Sequence, residues 1–406
     1  MKGLALSLIV LALPVWGQSF QISRGQNLDI WEQWLTVDDM LSTPGFLSPY
    51  PDWRRTLPAD RIARLHRDGF DFVRIPFDPS PLLALGPGAR QDALIADLRA
   101  TVQHALDSGL TVIADLHAIP RPDEVWGVDD ITTRLWDDHL MLVTRIAAAL
   151  NGLPPDRVAF EPLNEPTLDC DAIWGDAAPQ WPAKLQALHK AARSAAPDLP
   201  LVLSGACWGG VDGLEQLDPR LLDDANILWS FHSYDPFQFT HQSAVWTYPA
   251  LKSLRNLPYP PSRLTDELAR AAYQDALTRL PAGIDPQLMV DEIATYRATP
   301  DDYAADAPRR AAAWADRHGI PRNRLLLGEF GAIHHDALGP FSGDTHLAFL
   351  ADKRRAAEAE GIAWAVWSFS GEMATTRPGD PDKAMNPDVC TALGLAGCAL
   401  DSQTSP

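Results

Sequence analysis

Short apolar runs alternate with longer amphipathic stretches along most of this chain. The runs predict eight strands, at Ile22–Leu28, Phe72–Pro76, Thr111–Leu116, Arg157–Leu163, Leu201–Ser204, Ile227–Phe231, Leu325–Gly328 and Ile362–Trp367. Helical periodicity fills the intervals. Ala59–Asp68 stops at Gly69, and Gln91–Ser108 stops at the C-cap Gly109. Eight β/α units in one domain predict a (β/α)₈ TIM barrel. A doubly wound open sheet is the alternative, but no Gly-rich dinucleotide fingerprint follows the first strand. One connection is long. Between Phe231 and Leu325 lie roughly ninety residues, more than one helix and a loop require. Asp266–Leu280 reads as a helix within it. The stretch from about 240 to 320 is therefore expected to be a subdomain inserted between strands six and seven, walling or lidding the site.

Composition narrows the class. Hydrophobic residues make up 46 % and charged residues 21 % of 406, an ordinary globular balance. No internal repeat or linker breaks the chain, so residues 18–406 read as one catalytic domain. The net charge of −19 disfavours a nucleic-acid or anionic-membrane partner. Fourteen Trp beside seven Tyr suit stacking on flat sugar rings as well as core packing. Residues 1–17 read as a signal peptide: Lys2, an apolar stretch from Leu4 to Leu13, then Val15 and Gly17 before a cleavage site at Gln18. That stretch is too short to span a bilayer. A secreted or periplasmic protein is expected, which permits disulfides. Cys390 and Cys398 are spaced to close a small clasp. Cys170 and Cys207 either form a second bridge or remain buried thiols.

Barrel active sites lie at the C-terminal ends of the strands. Strand two carries Arg74, and strand three ends in Asp115-Leu116-His117. Strand four ends in Asn164-Glu165-Pro166, strand six in His232-Ser233-Tyr234, strand seven in Glu329 and strand eight in Trp367. Two carboxylates facing each other across a barrel mouth are what glycosidic cleavage needs. One protonates the leaving oxygen, and the other attacks the anomeric carbon or activates water. Glu165 is the expected proton donor and Glu329 the expected nucleophile. Asn164 suits a sugar 2-hydroxyl, and Arg74 and Tyr234 suit Glu329. His232 suits orientation of Glu165, and Trp367 suits a floor under the sugar. Glu161 is a rival acid, but its place ahead of Asn-Glu-Pro favours Glu165. His334-His335-Asp336 hints at a metal cluster, yet nothing completes it, and it reads as a loop. No metal and no cofactor is expected.

Phe160-Glu161-Pro162-Leu163-Asn164-Glu165-Pro166 resembles the Asn-Glu-Pro signature of glycoside hydrolase family 5. That family's functional set runs Arg, His, Asn, Glu, His, Tyr, Glu, Trp. Arg74, His117, Asn164, Glu165, His232, Tyr234, Glu329 and Trp367 match it in order. Phe231 to Phe237, with Phe239-Thr240-His241-Gln242, is similar to bacterial endoglucanases with an insertion after strand six. The resemblance implies a retaining β-1,4-glucanase acting on polysaccharide, and a monomer is expected. A β-mannanase or exo-β-1,3-glucosidase is the alternative within the family, and a non-catalytic carbohydrate-binding barrel the alternative outside it. Ser233, where an aromatic is common, and Ile119 depart from the pattern.

Overall fold

The computed structural model describes residues 20–29, 60–118 and 127–398. The expected signal peptide at 1–17 and the loop around Ile119 lie outside these residues. Eight parallel strands close a barrel: β1 Arg24–Asn27, β2 Phe72–Phe77, β3 Thr111–Leu116, β4 Val158–Glu161, β5 Leu201–Ser204, β6 Ile227–His232, β7 Leu325–Glu329 and β8 Ala363–Val366. Each pairs with its sequence neighbours, and β8 returns to β1. All eight expected strands are present. β4 and β8 are shorter than their apolar runs: Pro162 and Leu163 fall outside β4, and Ile362 and Trp367 outside β8.

The period of two sorts every strand into two faces. Val73, Val112, Val158, Leu201, Ile227, Leu325 and Trp364 point outward into the layer shared with the helices. Phe72, Ile113, Ala159, Val202, Leu228, Leu326 and Ala363 form a separate apolar cluster inside the barrel, joined by Phe20. Phe72 fits only because β1 carries Gly25; a Cβ there would lie 2.2 Å from the ring edge. Two residues further along come Arg74, Asp115, Glu161, Ser204, Ser230, Gly328 and the still apolar Ala365. From β2 to β6 the interior thus turns from apolar to polar in one step.

Outside the barrel, helix Arg61–Asp68 ends at Gly69, which is left-handed at φ 116°. Helix Ala89–Asp107 precedes Gly109, also left-handed. The connection from β6 to β7 carries five α-helices: Phe237–Thr240, Pro249–Ser253, Asp266–Leu277, Gln287–Ala298 and Asp306–His318. It shares the outer core rather than holding one of its own. Phe239 meets Tyr259 at 5.2 Å and Phe349, on the helix before β8, at 5.7 Å between ring centroids. His335–Asp336 pairs with Gly339–Pro340 in a small hairpin, and Asp336 accepts from Arg255 and Ser243. Both disulfides are formed, Cys170–Cys207 and Cys390–Cys398.

After β5 the chain runs directly against helix Val211–Glu215. A Cβ on Gly205 would lie 2.1 Å from the Gly213 carbonyl carbon, and one on Gly213 would lie 2.0 Å from the Ala206 oxygen. Neither obstacle is a movable side chain. Gly213→Ala should therefore lower stability by at least about 1–3 kcal/mol, the scale of overpacking. Urea unfolding measures this, and an unchanged midpoint would mean that the two segments separate freely.

Candidate active site

Arg74 has no exposed surface. Alternation on β2 turns it into the barrel, where its N–H groups meet acceptors from four other strands or their ends. Nε donates to Glu161 at 2.7 Å, and Nη1 donates to Asn27 at 3.0 Å and Glu329 at 2.7 Å. Nη2 donates to Asn164 at 2.7 Å and lies 2.8 Å from Asp115. A guanidinium supplies this many donors in a fixed plane. Its burial cost is offset by three carboxylates, which hold it firmly cationic.

Glu329 reaches the hub through a bulge. Phe231 pairs with Leu327, but His232 pairs with Glu329, so Gly328 is the extra residue. Strict alternation would aim Glu329 at the helices; the bulge turns it into the mouth. Gly328 is required there, since a Cβ would lie 2.6 Å from Ser230 Oγ and 2.9 Å from His232 Nε2. Arg74 then binds Glu329 Oε1, and Tyr234 donates to Oε2 at 2.8 Å. Burial and the Glu329 charge push the Tyr234 phenol well above its ordinary range, so it remains a donor.

Glu165 stands opposite. Its Oε1 lies 2.6 Å from His232 Nδ1, and a fifth of its side chain reaches the cleft. Burial pushes Glu165 up to about 7 against the pull of His117 and Arg74. Burial also pushes His232 down to about 4, leaving the ring neutral near pH 7. His117 takes Asp115 at Nδ1, 2.9 Å away, and faces the Asn164 amide at 3.2 Å. Trp367 stacks on His117 with centroids 5.2 Å apart and 20° between planes.

The structure thus brings all eight expected residues together. It adds Asn27, Asp115 and Glu161, whose role as partners of Arg74 sequence reasoning missed. Glu161, the rival acid, is buried beneath Asn164 and bonded to Arg74. Burial pushes Asp115 up to about 7 and raises Glu161, with Arg74 opposing both shifts. Donor atoms of Glu165, His232 and Glu329 lie within 4.8 Å of one another, the one such trio among the described residues suited to a cation. Arg74 and Tyr234 already occupy both Glu329 oxygens, so a cation there would compete with a guanidinium. Trp208 and Trp246 are 49 % and 56 % exposed, too open to be plain core packing. Among the described residues no helix is long and apolar enough to cross a membrane.

Residues 40–373 match the family described as Cellulase (glycosyl hydrolase family 5). Endoglucanase 3 of Fibrobacter succinogenes is 24 % identical over 235 residues, covering 58 % of this chain and 33 % of that protein. Endoglucanase C of Acetivibrio thermocellus is 27 % identical over 207 residues, covering 49 % and 56 %. The chain therefore matches only a third to just over half of these relatives' lengths. Structures of Thermotoga maritima Cel5A in complex with cellobiose and with mannotriose superpose at a TM-score of 0.61. They are 20 % identical and cover 92 % of this chain and 97 % of theirs. At that identity the likeness speaks for the fold.

Removing the central cation would strand three buried carboxylates. Arg74→Met should cost about 3–5 kcal/mol, as breaking a buried ion pair does. Arg74→Lys should recover little of this, because an ammonium cannot reproduce the planar fork. Denaturant unfolding of both variants measures the loss, and wild-type stability in Arg74→Met would show that the hub does not hold the barrel top.

Proposed function

The chain belongs to the cellulase family, glycosyl hydrolase family 5, and from that premise we propose that it cleaves β-1,4-glucan internally, with retention, by double displacement. Glu329 is the nucleophile and Glu165 the acid/base. The observation that carries this reading is the carboxylate spacing. Oxygens of Glu165 and Glu329 lie within 4.8 Å. An inverting pair needs roughly 6.5–9.5 Å to admit a water between carboxylate and sugar.

The environments suit the two roles. Glu329 accepts from a guanidinium and a phenol hydroxyl, which fix its carboxylate at the mouth for attack. As it attacks the anomeric carbon, the glycosidic bond breaks, and the leaving oxygen takes a proton from Glu165. Water then attacks the glycosyl-enzyme, with Glu165 accepting a proton in return. A neutral His232 orients Glu165 through Nδ1, 2.6 Å from Oε1. Asn164 and Trp367 frame the sugar from the side and below. The glucan preference rests on the family and on the names of the relatives. Mannan is the second reading, because one structural neighbour is solved with mannotriose.

Hydrolysis of carboxymethyl-cellulose, barley glucan, laminarin and mannan tests the substrate, with product lengths and anomers followed by proton NMR. Mixed-length products from the first two, appearing first as the β-anomer, are expected. An initial α-anomer would end the retaining mechanism, and preference for mannan would select the second reading.

Glu165 works as an acid only while protonated. Its folded-state pKa is raised to about 7, so kcat/KM on oligosaccharide should fall as pH rises through about 7. Glu165→Ala should lose far more on oligosaccharide than on a dinitrophenyl glycoside, whose leaving group needs no proton. That alkaline fall should also vanish in the variant. Equal losses on both substrates would remove Glu165 from the role.

A further inference from the structure

Glu165 has a left-handed backbone, with φ at 42°. For a residue with a side chain this conformation is unfavourable, and it persists only where the surroundings impose it. What imposes it is the loop after β5. Trp208 N–H donates to the Pro166 carbonyl and Cys207 N–H to the Leu168 carbonyl, both at 2.9 Å. The Cys170–Cys207 disulfide closes the same pair of segments covalently. Gly209 packs 3.8 Å from the Glu165 backbone, measured from an ideal Cβ position.

The loop is itself held in an unfavourable form. Cys207, Trp208 and Gly209 are all left-handed, at φ 52°, 63° and 63°. Two of the three are not glycine, so the run depends on its anchors. Gly205 and Gly213 press it against helix Val211–Glu215 on one side, and the disulfide fixes it on the other. The loop also reaches the acid's partner, since the Gly209 carbonyl accepts from His232 N–H at 2.9 Å. Both members of the Glu165–His232 pair therefore rest on it. Glu329 depends on it less: Arg74 and Tyr234 hold its carboxylate, and the loop reaches it through His232, whose Nδ1 lies 3.6 Å from Oε2.

We infer that the Cys170–Cys207 bridge is a positioning element for the acid/base: it sets where Glu165 delivers its proton and acts on the nucleophile only indirectly, through His232. The inference rests on the roles proposed above for the two glutamates. Neither cysteine touches substrate. The bridge acts through the loop on the backbone of Glu165 and on His232.

The test uses leaving-group dependence, which general loss of folding does not alter. In the Cys390→Ser/Cys398→Ser variant, Cys170–Cys207 is the remaining bridge of the four cysteines. That variant should keep wild-type rates on both a gluco-oligosaccharide and a dinitrophenyl glycoside. Dithiothreitol then reduces the folded protein. Two electrons and two protons pass from the reagent to the S–S bond, giving two thiols and the cyclic disulfide of the reagent. Rates are counted per active site, titrated by a fluoroglycoside inactivator that traps the nucleophile. The oligosaccharide kcat/KM should fall about tenfold or more, and the dinitrophenyl kcat/KM, which reports leaving-group departure without a proton, by less than about threefold, as small misplacement of an acid predicts. Reoxidation should restore the first. Cys170→Ser/Cys207→Ser should show the same split. Equal losses on both substrates, or no loss on either, would overturn the inference. Glu165→Ala in the same assay separates the two levels. If it shows the split and the reduced enzyme does not, the positioning role alone fails; if it shows none, the acid assignment fails first.

Discussion

A guanidinium buried inside a barrel is tolerable only when its neighbours carry the opposite charge, and the top of this barrel is arranged around that condition. Arg74 stands on β2, and its acceptors come from β1, β3, β7 and the end of β4. Five strands are fixed relative to one another by one side chain. Strand closure and placement of Glu329 are consequently one interaction: what holds the barrel mouth in register also aims the carboxylate. The converse holds electrically. Asp115, Glu161 and Glu165 crowd around one guanidinium, and burial raises all three. Asp115 and Glu165 are both pushed up to about 7.

Much of this was legible in the chain. A strand that is apolar for several residues and then ends in Arg, His, Asn-Glu or Glu announces both its own existence and its polar end, because both signals are local. The partners of Arg74 were not legible in that way. Asp115 and Glu161 lie on other strands, and pairing across a sheet depends on register, which no single segment records. A usable signal was present nonetheless. Stepping by two along β2, β3 and β4 takes Phe72 to Arg74, Ile113 to Asp115 and Ala159 to Glu161, placing all three polar groups in one interior layer.

Glu329 fails that same count. Parity from Leu326 would turn it toward the helices, and only the extra residue at Gly328 brings it inward. A bulge is a defect in periodicity, so periodicity cannot foresee it; the crowding around Gly328 becomes visible only with Ser230 and His232 in place. The connection from β6 to β7 was under-read for a different reason. Asp266–Leu277 has an acidic first turn and a Thr265 cap, and it stands out in the sequence. Phe237–Thr240 and Pro249–Ser253 are single turns whose form comes from packing rather than from propensity.

Closure of the barrel also has an order in time. β1 pairs with β2 on one edge and with β8 on the other, where Gln26 meets Val366 across 340 residues. A ribosome delivers the first strand long before the last. Until residues 363–366 emerge, β1 and β7 have no closing partner, and Glu329, already made, sits on the strand at the border opposite β1. Open edges invite pairing with other chains, and contacts this distant in sequence form slowly. The exposed border therefore lasts for most of synthesis, and the final strand, by sealing the cylinder, removes both edges at once.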